Sequence, residues 1–170
     1  MDYQKEEKRL VKFLAASSAF LFIGTVHGVL QVLKPIRAYL DSIGSPYGGP
    51  GHMIDPLAHA HINMIGGVVM LVFAASYYMM PRITQKPLWS YKLLEHTFWW
   101  TSIGVICFYC TLLFYGIWEG QLLLADNAQK MEQVHKYYSH TIAISATIMG
   151  MGFWVFFFNI FMTYKNARKS

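Results

Sequence analysis

HAHINMIGGVVMLVFAASYYMMPR, running from His59 to Arg82, decides how this chain is read. An apolar run follows two histidines set one residue apart and closes on Pro81-Arg82. At ~1.5 Å per helical residue it is long enough to cross a ~30 Å hydrocarbon core. Histidine in hydrocarbon is costly, so two at one helix end point to a bound ligand that stabilises them.

Working outward, three more apolar runs have spanning length, so the expected spans are 10–33, 57–80, 94–118 and 138–164. None shows the continuous polar face that a soluble bundle helix would carry. The composition agrees, with 55% hydrophobic residues in 170. The expected fold is all-α, a four-transmembrane-helix bundle forming one membrane domain over 1–170. The first run is longer than a signal-peptide core and no small-x-small cleavage site follows it, so it reads as a span.

Charge orients the helices. Ten basic residues fall on one side: Lys5, Lys8, Arg9 and Lys12, then Arg82, Lys86 and Lys92, then Lys165, Arg168 and Lys169. Four fall on the other: Lys34, Arg37, Lys130 and Lys136. The positive-inside rule puts both termini in the cytoplasm, the expected setting being a prokaryotic cytoplasmic membrane. The net charge of +5 is thus a topology signal, and no nucleic-acid motif competes with it. Cys107 and Cys110 lie mid-span on one face and read as packing residues, because low dielectric opposes a thiolate.

This topology places His27, His59, His61 and His140 within ~10 Å of the outer membrane surface, on three separate helices. Gly24 and Gly28 flank the first of them, which gives room for a neighbouring helix or a flat macrocycle. His59 and His61 diverge by ~200° on a helix and so cannot be the two axial ligands of one ring plane. Asn63 shares the His59 face. A Gly- and Pro-rich outer loop, Lys34 to Pro56, either caps a cofactor edge or is floppy; its His52 is a weak ligand candidate. The third loop, through His135, reads as a short amphipathic helix lying on the outer surface. His96, at the inner face, reads as interfacial.

Neutral imidazole is the usual axial ligand of b-type heme, and such pockets lie between bundle helices. The expectation is one or two hemes b, with His27 and His61 as axial ligands of one and His59 with His140 as a second site. Zinc or copper is the weaker reading, since the Cys, Met and carboxylate partners usual at close spacing are lacking.

His59-Ala60-His61-Ile62-Asn63-Met64-Ile65-Gly66-Gly67, running on to Tyr77-Tyr78-Met79-Met80-Pro81-Arg82, resembles the His-x-His helix of subunit I of heme–copper oxidases. The C-class cytochrome c oxidases and nitric oxide reductases have the most similar version. The resemblance continues through Phe98–Gly104 and Phe114–Gln121 and corresponds to the last four helices of a twelve-helix fold. It implies that His59 holds the high-spin heme and His61 the low-spin heme. It also implies copper ligands, and a second low-spin axial ligand, on helices this chain does not have. His27, His140 or a partner subunit would replace that axial ligand. The family's Arg-Arg pair for heme propionates has no counterpart here, which leaves Lys34, Arg37, Lys130 or Lys136.

The expected function is therefore electron transfer by a membrane b-type cytochrome, an oxidoreductase component rather than a complete oxidase. Quinol or cytochrome c is the expected redox partner, within a homo-oligomer or a larger respiratory complex surrounded by lipid. Two rivals stand beside it. One is a non-catalytic structural, assembly or heme/copper carrier subunit; the other is a small transporter using the histidines as a proton relay.

Overall fold

A computed structural model describes residues 7–168. Among them every regular element is helical. Helix α1 is Val11–Val32, α2 is Lys34–Ser42, and α3 runs over Gly49–Thr84. Helix α4 is Tyr91–Leu124 and α5 is Ala128–Ala167. Four of these, α1, α3, α4 and α5, are long and apolar enough to cross a membrane. The four expected spans thus fall on four helices, and the chain is an integral membrane protein.

At the end of the bundle nearest the chain termini, ion pairs and one polar clamp hold the helices. Arg9 and Lys12 both pair with Glu95 near the start of α4, and Arg82 at the end of α3 pairs with Glu7. Ser90 caps α4, its Oγ accepting from the Leu93 N–H at 3.3 Å. Asn159 on α5 closes the loop: its Oδ1 accepts from Ser90 N–H at 3.1 Å and its Nδ2 donates to the Ser90 carbonyl at 2.9 Å. Above this level Phe13, Phe73, Tyr77, Leu94, Phe98 and Phe156 form the main core. Helices α4 and α5 pack as an antiparallel pair, made close by Gly104 against Met149 and by Gly152 against Thr101. Gly66 and Gly67 seat Phe20 and Leu21 of α1 against α3 in the same way.

The opposite end of the bundle departs from expectation. The third loop is not a helix lying on the surface; only a tight turn separates α4 at Leu124 from α5 at Ala128. With 34 and 40 residues, these helices exceed a ~30 Å core by roughly 20 Å or more. The first loop is an ordered cap. Pro35 lies in the first turn of α2, and Leu40 and Ile43 are buried with Ile54 beneath them. Arg37 donates to Asp41 at 2.8 Å and to Asp55 at 2.7 Å, which ties α2 to the point where α3 breaks. That break is Asp55, whose backbone (φ −132°, ψ 111°) is extended inside an otherwise helical stretch. Pro56 then restarts the helix, close to the start expected from sequence.

The Arg37 guanidinium holds the Asp41 carboxyl below its usual range, chiefly through their hydrogen bond. A carboxyl depressed in the folded state contributes stability above its unfolded value, ~3.9, and loses it as pH falls through the folded value. The cap is therefore expected to hold at neutral pH and to loosen below pH ~3.9. Hydrogen exchange over residues 34–42, corrected for intrinsic rates, should show protection falling in that window. In Asp41→Asn the fall should be smaller; an identical pH response would contradict the linkage.

Candidate functional site

The end of the bundle away from the chain termini brings His27 and His59 together with Gln31 and Tyr109. Helix α3 is unusual there. Met53–Ala58 and Ile62–Val69 are π-helical, and the His59–His61 turn lies between them. Wide turns of this kind often mark functional sites, because they shift side chains off the α-helical register.

Of the four histidines, the structure brings His27 and His59 together, with ring centroids 5.7 Å apart and planes inclined by 56°. His27 is 8% exposed and engaged at both nitrogens. Its Nε2 lies 2.9 Å from Gln31 Nε2 and its Nδ1 3.2 Å from Tyr109 Oη. The notches at Gly24 and Gly28 are filled by the neighbouring helix. A Cβ on Gly24 would overlap the Asn63 carboxamide, and one on Gly28 would sit 3.0 Å from His59 Nε2. Of the two occupants the sequence allowed there, a neighbouring helix or a flat macrocycle, the notches seat the helix, α3 on α1. Asn63 is held in that seat by donating to the His59 carbonyl at 2.9 Å.

His61 stands differently. Its Nδ1–H donates to the Leu57 carbonyl at 2.8 Å, and its ring packs on Phe108 with centroids 4.6 Å apart. That hydrogen bond puts the proton on Nδ1 and leaves the Nε2 lone pair without a partner among the described residues. His140 makes the same local bond, Nδ1–H to the Lys136 carbonyl at 2.7 Å, but its side chain is exposed. His52 closes its own turn on the Pro46 carbonyl at 2.6 Å. Among the described residues no three His, Cys, Asp or Glu side chains form a group that could hold a metal ion. Both His27 nitrogens are thus engaged, while His61 is held through Nδ1 alone.

Arg37, one of the cations assigned to propionates, is engaged by Asp41 and Asp55. Sequence reasoning did not single out three polar groups. Gln31 was legible, lying one turn after His27 on the same face. Tyr109 was hidden in an aromatic helix. Glu119, only 4% exposed, accepts from His135 Nδ1 at 3.1 Å and joins α4 to α5 near their connecting turn.

The family model described as "Cytochrome C and Quinol oxidase polypeptide I" matches residues 4–142. The "Cytochrome c oxidase subunit 1 homolog" of Azorhizobium caulinodans is 24% identical over 169 residues, covering 94% of this chain and 29% of that protein. The "Cbb3-type cytochrome c oxidase subunit CcoN1" of Stutzerimonas stutzeri is 25% identical over 120 residues, covering 69% of this chain and 23% of that one. A bacteroid subunit 1 homolog of Bradyrhizobium diazoefficiens is 23% identical over 163 residues, 86% of this chain and 28% of that protein. The chain thus spans about a quarter of the length of these relatives. No solved structure matches it. The match takes in three of the four spans entirely and reaches the start of the fourth, and the chain belongs to the subunit I family of cytochrome c and quinol oxidases, part of the heme–copper oxidase superfamily.

Proposed function

We propose that this chain is a heme b-carrying electron-transfer component of a respiratory membrane complex, with both termini in the cytoplasm and the heme near the outer face. His61 is the axial ligand the geometry favours most. The observation that carries the reading is its Nδ1–H bond to Leu57 O at 2.8 Å, which leaves Nε2 bare within a family-matched helix. His59, one residue away on a diverging face, is the second candidate; His27 and His140 follow. Heme, when bound, would supply one-electron chemistry at iron. The protein's part is to orient the imidazole and to exclude water with Phe108. A second axial ligand would come from another chain, which fits a homo-oligomer or a larger complex. Quinol or cytochrome c would be the redox partner.

Reduced-minus-oxidised spectra of the purified protein test this. A sharp b-type band is expected, lost in His61→Ala and retained in His140→Ala. Equal loss in both variants, or in neither, would overturn the assignment of His61. A second reading, a non-catalytic structural or assembly subunit, is supported by the filled notches at Gly24 and Gly28, where α1 and α3 pack as an ordinary helix pair.

A further inference from the structure

Helix α5 carries two polar clusters spaced like the two faces of a bilayer. Gln133, Lys136, Tyr137 and His140 line an open groove of about 470 Å³ toward the α4–α5 turn. Tyr164, Lys165 and Arg168 line a second groove, with Phe161, near the other end. At ~1.5 Å per residue Lys136 and Lys165 stand ~44 Å apart along the helix, and a bilayer with its headgroups measures ~40–45 Å. No Asp, Glu, Lys or Arg lies between them. The exposed side chains there include Ile144, Trp154 and Phe158. This spacing puts both grooves at headgroup level whichever end faces the cytoplasm, and the turn from Ala128 to Glu132 rises beyond it into water.

The two grooves differ in charge. The second holds two cations, Lys165 and Arg168. In the first, Lys136 Nζ lies 3.6 Å from Glu132 Oε1, with the side chains 71% and 76% exposed. That separation is too long for a hydrogen bond, so each charge keeps its capacity for a ligand. Their order along α5 is fixed: Glu132 stands one turn, ~6 Å, farther from the hydrocarbon than Lys136. Tyr137 and Gln133 add neutral donors on either side of Lys136.

We propose that this groove binds the headgroup of a phosphatidylethanolamine, with its phosphodiester on Lys136 and Tyr137 and its ammonium on Glu132. A lysine beside a glutamate offers an anionic headgroup no net attraction, whereas a zwitterion meets both charges. The acyl chains tether the phosphate at the membrane edge, and the aminoethyl arm beyond it is the part free to reach outward to Glu132. Choline carries the same charge but has no N–H to donate to the carboxylate, so ethanolamine is favoured. Nothing in this proposal depends on heme.

The test uses the full chain in nanodiscs of equal parts phosphatidylethanolamine, phosphatidylcholine and phosphatidylglycerol. Lipid retained by the released protein is counted by native mass spectrometry, and variants are read against the parent so that lipid held at the second groove cancels. Retained ethanolamine lipid, relative to choline lipid, should fall about threefold in Glu132→Gln, the scale of an exposed ion pair. It should fall at least as far when Glu132→Lys is combined with Lys136→Glu, which keeps an i,i+4 pair on the helix but reverses the order of the charges. Lys130→Gln, in the first turn of α5, should leave the ratio unchanged, and so should excess inorganic phosphate. An unchanged ratio in Glu132→Gln or in the exchanged pair, an equal fall in Lys130→Gln, or displacement by phosphate would each overturn the proposal.

Discussion

Replacing Gly104 with alanine is expected to part α4 from α5. A Cβ there would overlap both N and Cα of Met149, which are backbone atoms that no rotamer change can move. Without a hydrophobic drive between helices in lipid, close backbone approach is a main source of association, so a forced separation weakens the whole interface. Overpacking of this kind costs ~3 kcal/mol or more. In detergent the thermal midpoint should fall by roughly 10 °C. Gly150→Ala on α5 is the matched control. Its Cβ would meet only Trp154 Cζ2 at 3.9 Å, and alanine favours the helix by up to ~1 kcal/mol. Gly150→Ala should therefore leave the midpoint unchanged or raise it. Equal effects of the two substitutions would show that the approach of the two long helices is not what holds them.

Asn159→Leu is expected to release the loop between α3 and α4. Asn159 is fully buried and satisfies both the N–H and the carbonyl of Ser90. Leucine keeps the same branched heavy-atom skeleton, while two backbone groups lose their partners. Each buried unsatisfied group costs ~1–3 kcal/mol, which makes ~3 kcal/mol a fair total. Protease sensitivity at Gln85–Tyr91 should rise and the thermal midpoint fall. The neighbouring Thr163, whose Oγ1 accepts from Trp89 N–H at 2.9 Å, should show a smaller effect as Thr163→Val. An Asn159→Leu variant as stable as the parent would mean that water already serves Ser90.

The spans were legible because they rest on long apolar runs, which survive tertiary packing. Val11–Val32 lies within one residue of the expected first span at each end. The helix ends beyond the membrane were not legible. Residues 121–138 read as a short amphipathic surface helix because the apolar Leu122–Ala125 run is followed by mixed polar residues, yet α4 continues to Leu124 and α5 begins at Ala128. Polar residues at the ends of long helices and amphipathic surface helices have the same composition, and only packing separates them. The Gly- and Pro-rich first loop held two open readings, and the Arg37–Asp55 pair, 18 residues apart in sequence, makes it an ordered cap.

The histidines divide in the same way. A common depth was the expectation from charge and length, and ring direction was not legible from either. It depends on the π-helical turns on either side of His59–His61, which carry no composition signal. Those turns set His59 against Gly28 and His27, and leave His61 on Phe108 with its Nε2 bare. Tyr109 escaped notice because tyrosine in an aromatic helix is ordinary; its meaning came from His27 Nδ1 lying 3.2 Å away.

A porphyrin gripped from this membrane segment is most directly tested by assaying the pigment itself. The chain should be purified from heme-replete cells and its heme extracted, typed and counted against protein, with the mass of the detergent-solubilised assembly measured alongside. Heme b in a fixed whole-number ratio to the assembly is the expected result. A colourless assembly of the same mass would contradict it.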